Sequence, residues 1–285
     1  MKVLILGVTG MLGNAAFKVF SADTRYDVFA TMRSASGLRH FDESTYSRLL
    51  TGVDVLDQDD LTAAFADVKP DVVINCVGLI KQLADANDPL TALPINAMLP
   101  HRLAKLCAVA NARLVHISTD CVFSGRKGGY RESDTSDAED LYGKSKYLGE
   151  LHDVAHAVTL RTSIIGHELN SAYALVDWFL SQSGPIKGFS KAIFSGLPTV
   201  ELAHVIKDYV LPKPELSGLY HVAAQPVNKF DLLTLVAKQY GKDIDIRKDD
   251  AFVIDRSLNA DIFSAKSGYV APLWPDLIKK MYDAK

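Results

Sequence analysis

A tyrosine and a lysine stand four residues apart in the stretch DLYGKSKYLGE, residues 140 to 150. On a helix, residues at this spacing share a face, so Tyr142 and Lys146 would lie together while Lys144 points elsewhere. A free phenol has a pKa near ~10, and a neighbouring ammonium lowers that pKa by favouring the phenolate. The N-terminal end of a helix acts in the same direction. The pair therefore predicts a general acid or base for a carbonyl and its alcohol.

Two hydroxyl side chains precede this pair in the stretch LVHISTDCVFSG, where Ser118 and Thr119 end a predicted strand. Ligands of α/β folds bind outside the carboxyl ends of the strands. A hydroxyl there can donate a hydrogen bond to a carbonyl oxygen and stabilise developing negative charge. Taken separately, the tyrosine–lysine pair also fits a plain surface helix and the Ser-Thr-Asp run also fits a strand-exit cap. Their joint occurrence favours one site.

Three glycines, Gly7, Gly10 and Gly13, follow the first apolar run, where a helix is predicted to begin. A pyrophosphate at a helix N-terminus needs backbone N–H groups close by, and a Cβ at these positions would hold it off. The spacing is GxxGxxG instead of the GxGxxG dinucleotide fingerprint, and a tight turn without a ligand is the competing interpretation. The loop nevertheless predicts a phosphate-bearing cofactor in this context.

The elements that must position these residues alternate between strand and helix, which predicts an α/β fold with a Rossmann-type, doubly wound parallel sheet. Residues 1–165 are predicted to form this cofactor-binding domain, and residues 166–285 mainly a smaller α/β lobe for substrate, with some segments returning to the core. The predicted strands are 2–7, 27–32, 71–78, 113–119, 158–164 and 218–226, and the predicted helices are 11–20, 60–68, 99–111, 141–157, 229–241 and a closing one within 268–282.

Composition excludes several classes of protein. The formal charge is −3 and the basic residues are scattered, which argues against a nucleic-acid partner. Three widely spaced cysteines form no disulfide framework, so a reducing, cytoplasmic location is expected, and no membrane partner is indicated. His152 and His156 have a spacing that can hold zinc on a helix, but no third ligand accompanies them, so no metal site is predicted.

The end of the second predicted strand indicates which cofactor is used. Arg33 and Ser34 stand about twenty residues beyond Gly13, where the adenosine ribose is expected. An acidic residue there would bind the free 2′-hydroxyl of NAD, whereas an arginine pairs with the 2′-phosphate of NADP. The sequence predicts NADP(H), and a solvated surface arginine is the alternative.

The motifs GVTGMLG, DVLD, STDCVF, YGKSK and RTSIIG occur in the order found in extended short-chain dehydrogenases/reductases, which the chain resembles over nearly its whole length. The resemblance implies that Thr119, Tyr142 and Lys146 form a catalytic triad, with Lys146 also holding the nicotinamide ribose, and that Asn96 supports their helix. It further implies cofactor contacts by Thr9, Met11 and Leu12 beside the glycines, by Asp54 and Val55 at the adenine, and by Cys76, Val77 and Gly78.

Within that family, STDCVFSG, YGKSKYLGE, RTS and FSGLPTVELAHVI are similar to the dTDP-4-dehydrorhamnose reductase group. The similarity implies NADPH-dependent reduction of the 4-keto group of a dTDP- or UDP-linked 6-deoxyhexose for cell-surface polysaccharides, with a homodimer left open. Dehydratases that resemble this chain carry Asp-Glu after the threonine, whereas this chain has Asp120 and Cys121. An epimerase and a regulatory subunit that binds NADP without turnover remain alternatives. The implied substrate contacts are Lys81, Asp120, Cys121, Thr162, Trp178 and Thr199.

The cofactor preference is testable at Arg33. We expect Arg33→Ala to raise the Michaelis constant for NADPH far more than that for NADH, because only NADPH carries the 2′-phosphate that a guanidinium binds. Steady-state kinetics with each cofactor measures both constants. Equal effects on the two cofactors would contradict the assignment.

Overall fold

The structure is a computed structural model that describes residues 1–79 and 87–285. Its centre is a parallel sheet of seven strands in the order β3-β2-β1-β4-β5-β6-β11, which confirms the predicted Rossmann-type fold. Numbered along the whole chain, these strands are β1 (Lys2–Leu6), β2 (Asp27–Met32), β3 (Leu49–Thr51), β4 (Val72–Asn75), β5 (Arg113–Thr119), β6 (Ala157–Thr162) and β11 (Gly218–His221).

Helices cover both faces of this sheet. Alternate residues of β1 show the two layers: Val3 and Ile5 belong to one apolar cluster, and Leu4 and Leu6 belong to the other. The helices are α1 (Met11–Ser21), α2 (Gln58–Val68), α3 (Pro89–Ala92), α4 (Leu99–Ala110), α5 (Leu141–Leu148), α6 (Leu175–Ser181), α7 (Thr199–Val205), α8 (Lys229–Tyr240), α9 (Asp261–Ser267) and α10 (Trp274–Asp283). On one face, α1 packs against α7, which comes from the C-terminal part of the chain.

Short strands outside the central sheet build the C-terminal part. Strand β7 pairs with β10, β8 pairs with β13, and β9 lies between β12 and β14. These strands are β7 (Ile164–Ile165), β8 (Ile186–Phe189), β9 (Ala192–Phe194), β10 (Leu197–Pro198), β12 (Val227–Asn228), β13 (Ile246–Asp249) and β14 (Ile254–Asp255). The division into domains at residues 165 and 166 stays a prediction.

The helix predicted over residues 141–157 is wrong beyond Leu148. Helix α5 ends there, and the backbone of the next residue, Gly149, lies so close to Asn96 that a Cβ would overlap the carbonyl oxygen of Asn96. The next residue, Glu150, turns into the core and pairs with Arg161. His152 and His156 therefore do not share a helix face, so the zinc-like spacing has no structural meaning.

Strand β3 spans only three residues and was absent from the sequence prediction, since a run this short carries no periodicity. Among the described residues, the helices are too short or too polar to cross a membrane.

Candidate active site

Strand β5 delivers Thr119 to the carboxyl edge of the sheet, and a 3₁₀ turn over Asp120–Val122 follows it. The Thr119 hydroxyl oxygen caps this turn by accepting from the Cys121 amide at 3.1 Å, and the hydroxyl donates to Asp120 Oδ1 at 3.2 Å. The Thr119 hydroxyl also lies near the Tyr142 phenol, where it favours the ionised form of that phenol. The structure thus brings Thr119 and Tyr142 together across 23 positions of sequence, and their catalytic role stays a prediction.

Helix α5 presents Tyr142 from its first turn and Lys146 from the next. Asp140 caps the helix by accepting from the Gly143 amide at 2.7 Å. Gly143 lies so close to the turn after β5 that a Cβ would overlap the carbonyl oxygen of Cys121. Lys146 is buried and its Nζ donates to the carbonyl oxygen of Ile117 at 2.7 Å, whereas Lys144 is exposed. The helix face predicted from the four-residue spacing is the one turned towards β5.

Electrostatics at this site differ from the sequence-based expectation. The pKa of Tyr142 is raised, mainly because the phenol is buried, and the neighbouring Cys121 and Asp120 act in the same direction. The predicted lowering is therefore wrong for the protein alone, since burial outweighs any effect of the ammonium. Burial lowers the pKa of Lys146 to about 8, although the Glu150 carboxylate opposes that shift. The Tyr142 phenol therefore holds its proton at neutral pH.

The glycine loop has the close contacts that a phosphate cradle requires. Gly7 adopts a φ of +84°, and a Cβ at Gly13 would overlap the carbonyl oxygen of Gly7. Helix α1 begins at Met11, and within the described residues no side chain caps its first turn and no acid stands in it. The amides of that turn are free to bind an anion, so the residues present fit a pyrophosphate.

The residues that follow β2 and β3 lie at the same edge of the sheet as the glycine loop. Arg33 and Ser34 follow β2, where Arg33 is exposed and the Ser34 hydroxyl oxygen accepts from the Ser36 amide at 3.2 Å. Asp54 follows β3 on the far side and uses Oδ1 to accept from the Leu56 amide at 2.9 Å. Val55 packs against the apolar cluster beneath. Parallel pairing places these residues along one edge with the glycine loop, as a dinucleotide requires.

The segment after β4 lies opposite Lys146. Cys76, Val77 and Gly78 follow β4, and a Cβ placed on Gly78 would lie 3.8 Å from Lys146 Nζ. Asn96 holds this segment to the active-site helix, because its Oδ1 accepts from the Leu79 amide at 2.9 Å and its Nδ2 donates to Ser145 Oγ at 3.2 Å. These two hydrogen bonds agree with the role that the family resemblance implies for Asn96, which is to support the active-site helix.

Two cations that the sequence prediction missed stand beside Asp120 and Cys121. Lys229, the first residue of α8, and Arg256 both act on Asp120 electrostatically, opposing the raised pKa that burial gives this carboxyl. Arg256 Nε donates to the carbonyl oxygen of Phe123 at 2.8 Å. A cation in the first turn of a helix opposes the helix dipole. Because a lysine at this position is unfavourable for the helix, its presence could have marked Lys229 as a candidate functional residue in the sequence.

The remaining predicted substrate residues lie on β6, α6 and α7 or outside the described residues. Thr162 is buried and its hydroxyl donates to the carbonyl oxygen of Ser163, and Trp178 is exposed on α6. Thr199 begins α7, packs on Gly166 and lines a cavity of about 620 Å³ between α1 and α7, which Met11 also lines. Thr162 is the register partner of Thr119 on the neighbouring strand β6, so it lies beside the Thr119–Tyr142 pair. The assignment of Thr162, Trp178 and Thr199 to the substrate stays a prediction. Lys81 lies outside the described residues.

The parallel sheet, the glycine loop and the tyrosine–lysine helix define a protein of the extended short-chain dehydrogenase/reductase class. Comparison with known proteins narrows this class. The chain belongs to the family described as the RmlD substrate binding domain, which matches residues 1–252.

Named relatives include a reductase and a subunit of another enzyme. Methionine adenosyltransferase 2 subunit beta of Bos taurus is 32% identical over 171 residues, which make up 59% of this chain and 48% of that protein, so the match spans about half of that relative. The dTDP-4-dehydrorhamnose reductase of Aggregatibacter actinomycetemcomitans is 26% identical over 79% of this chain and 74% of that protein. The structure of dTDP-4-dehydrorhamnose reductase from Bacillus anthracis in complex with NADP has the same fold, with a TM-score of 0.79, 20% identity and coverage of 100% of this chain and 99% of that chain.

Burial of Lys146 predicts a pH-dependent cost to stability. The folded protein releases this proton near pH 8, whereas the unfolded chain keeps it to about 10.5, so the unfolded state binds more protons between these values. The free energy of unfolding of the wild type should therefore rise relative to that of Lys146→Met by about 3 kcal/mol as the pH increases across this window. Denaturant titrations at several pH values measure the difference.

Lys144→Met, on the exposed face of the same helix, is the control and should differ from the wild type by a constant amount. A constant difference for Lys146→Met as well would show that the buried ammonium carries no such cost.

Proposed function

We propose that this protein reduces the 4-keto group of a nucleotide-linked 6-deoxyhexose with NADPH. The observation that carries the proposal is the proximity of Thr119 and Tyr142, with Lys146 one turn later, at the carboxyl edge of a sheet whose glycine loop fits a pyrophosphate. The relative named as a dTDP-4-dehydrorhamnose reductase supports the substrate class. A dTDP- or UDP-linked sugar fits the proposal.

The proposal assigns a separate role to each residue of the site. Tyr142 holds a proton on its phenol oxygen and delivers it to the keto oxygen, while the Thr119 hydroxyl donates a hydrogen bond to the same oxygen. Lys146 and the segment from Cys76 to Gly78 hold the nicotinamide ribose, and Arg33 holds the 2′-phosphate. NADPH supplies the hydride when it is bound.

The phenol of Tyr142 carries the proton that the reaction needs, although its raised pKa makes it a weaker acid than a free phenol. Burial keeps the phenol protonated at neutral pH, and reduction of a ketone consumes that proton. Burial also raises the pKa of the Asp120 carboxyl beside Tyr142, although the nearby cations Lys229 and Arg256 oppose that shift. Lys229 and Arg256 are the charges available for the diphosphate of the substrate.

The proposal is tested by mixing the protein and NADPH with dTDP- and UDP-linked 4-keto-6-deoxysugars and following the absorbance of the reduced nicotinamide. We expect consumption of NADPH equal to the sugar reduced. Tyr142→Phe should lose about 10²- to 10⁴-fold in turnover while it keeps its affinity for NADPH, because only proton delivery is removed.

Tyr147→Phe, on the exposed side of the same helix, is the matched control and should retain turnover. Full turnover by Tyr142→Phe would refute the proposed acid. An interconversion of sugars without net consumption of NADPH would identify an epimerase instead.

The two missed cations provide a separate test of the substrate's charge. Lys229→Met should raise the Michaelis constant for the sugar nucleotide by about 10- to 100-fold, because a charged hydrogen bond to the diphosphate is lost. Binding of NADPH, measured by fluorescence titration, should stay unchanged. Lys238→Met, on the exposed face of the same helix, is the control, and an unaltered Michaelis constant in Lys229→Met would remove Lys229 from the substrate site.

A non-catalytic, NADP-binding subunit is the second candidate. It is favoured by the relatives named methionine adenosyltransferase 2 subunit beta, one of which, from Mus musculus, is 25% identical over 99% of this chain. Tight binding of NADPH without consumption on any sugar of the panel would favour this candidate over the reductase.

A further inference from the structure

Directly behind the candidate catalytic residues lies a buried ion pair between Glu150, after α5, and Arg161, on β6. Their side chains are 0% and 1% exposed. Arg161 Nε donates to Glu150 Oε1 at 2.7 Å, and Arg161 Nη2 donates to Oε2 at 2.6 Å. Two parallel bonds from one guanidinium to one carboxylate fix both side chains in orientation as well as in distance.

On one side, this pair is joined to the residues that perform the proposed chemistry. Ser118 Oγ donates to Glu150 Oε1 at 2.7 Å, and Ser118 is the residue before Thr119. Lys146, one turn before Glu150, donates to the carbonyl oxygen of Ile117, the residue before Ser118. Strand β5 and helix α5 are thus held together at two consecutive positions, which sets where Thr119 lies relative to Tyr142.

On its other side, the pair contacts β11. Arg161 Nη1 lies 3.3 Å from His221 Nε2, and His221 Nδ1 lies 3.1 Å from the carbonyl oxygen of Tyr130 and 3.2 Å from that of Asn259. Two carbonyl acceptors place the ring proton on Nδ1, so Nε2 is free to accept from Arg161. Burial and the charge of Arg161 lower the pKa of His221 to about 4, which keeps the ring neutral.

An aromatic stack extends the same contact to the loop that follows Thr119. The Arg161 guanidinium lies over the Phe123 ring at 5.1 Å from its centroid. Phe123 stacks on Tyr130 at 4.1 Å, and the Tyr130 hydroxyl oxygen accepts from the Gly125 amide at 3.1 Å. The loop and β11 therefore both contact the Arg161 guanidinium, and the segment at Asn259 is joined to it through His221.

We propose that Glu150 and Arg161 are positioning residues for the reaction, which hold Thr119 and Lys146 in register and make that register depend on the docking of the 123–130 loop and β11. This inference rests on the proposed function. A purely structural ion pair would stabilise the fold without affecting the chemistry of Lys146, whereas a positioning role affects both.

The charge of Glu150 gives the proposal a measurable consequence, which is a shift in the pKa of Lys146. The Glu150 carboxylate raises the pKa of Lys146 against the effect of burial. Among the described residues, Tyr142 lies one turn before Lys146 on the helix, and His116 lies on β5, where burial and Lys146 itself lower its pKa well below the ordinary value. The exposed His152 faces the carboxylate, with its Nε2 3.5 Å from Glu150 Oε2. Tyr142 and His116 are neutral near pH 7, so removal of the Glu150 charge should move the Lys146 titration to lower pH.

Two variants separate charge from connection. Glu150→Gln keeps the shape but removes the charge, so we expect turnover to fall by about 10²-fold and the basic limb of its pH profile to shift to lower pH. Ser118→Ala leaves the ion pair intact but removes the hydrogen bond between Glu150 and the strand that carries Thr119. Turnover should therefore fall without a shift of the basic limb of the pH profile. Affinity for NADPH should stay within the wild-type range in both, and Glu43→Gln, an exposed matched change, should leave turnover unchanged.

Wild-type turnover and an unshifted pH profile in a folded Glu150→Gln protein would overturn the proposal, as would wild-type turnover in Ser118→Ala. If Glu150→Gln does not fold, Ser118→Ala decides the question. If the wild type reduces no sugar, the proposed function fails separately, and a ¹³C NMR titration of lysine side chains, with the Lys146 signal assigned through Lys146→Arg, tests the inference without substrate. A lower Lys146 midpoint in Glu150→Gln would then support it, and an unchanged midpoint would overturn it.

Discussion

The buried carboxylate of Glu150 and the guanidinium of Arg161 constrain every element that carries a candidate catalytic residue. Taking such charges out of water costs several kcal/mol per ion, and only complete hydrogen bonding offsets that cost. In this protein the partners come from β5 through Ser118, from β11 through His221 and from the loop after β5 through Phe123. A shift of β5 would remove a hydrogen bond from the Glu150 carboxylate, and a shift of β11 or of the loop would remove a contact of the Arg161 guanidinium.

Much of the sheet could be predicted from sequence because its strands are buried on both faces and are apolar nearly throughout. The shared face of Tyr142 and Lys146 followed from helix geometry alone. The close contact of Gly149 with Asn96, just beyond the end of α5, could not be predicted, because Asn96 lies 53 positions earlier. Local periodicity contains no information about such a contact.

The pKa of Tyr142 shows the same limitation in electrostatic terms. Sequence spacing reveals a neighbouring ammonium but not the extent of burial, and burial is the larger effect here. Substrate-side residues were hardest to predict, since the C-terminal segments approach the site through tertiary packing. Lys229 and Arg256, for example, come close to Asp120 from helix α8 and the segment after β14.

The return of the chain to the sheet at β11 has a consequence for biosynthesis. Strand β11 pairs with β6 across about 60 residues, so β6 stays an open edge on the ribosome until residues 218–221 have emerged. Closing so long a loop costs chain entropy before any pairing compensates it, which slows completion of the sheet. During that interval Arg161 of β6 lacks its neighbour His221. A nascent chain of this protein therefore exposes an unpaired strand that is open to chaperones and to aggregation until the C-terminal part has been translated.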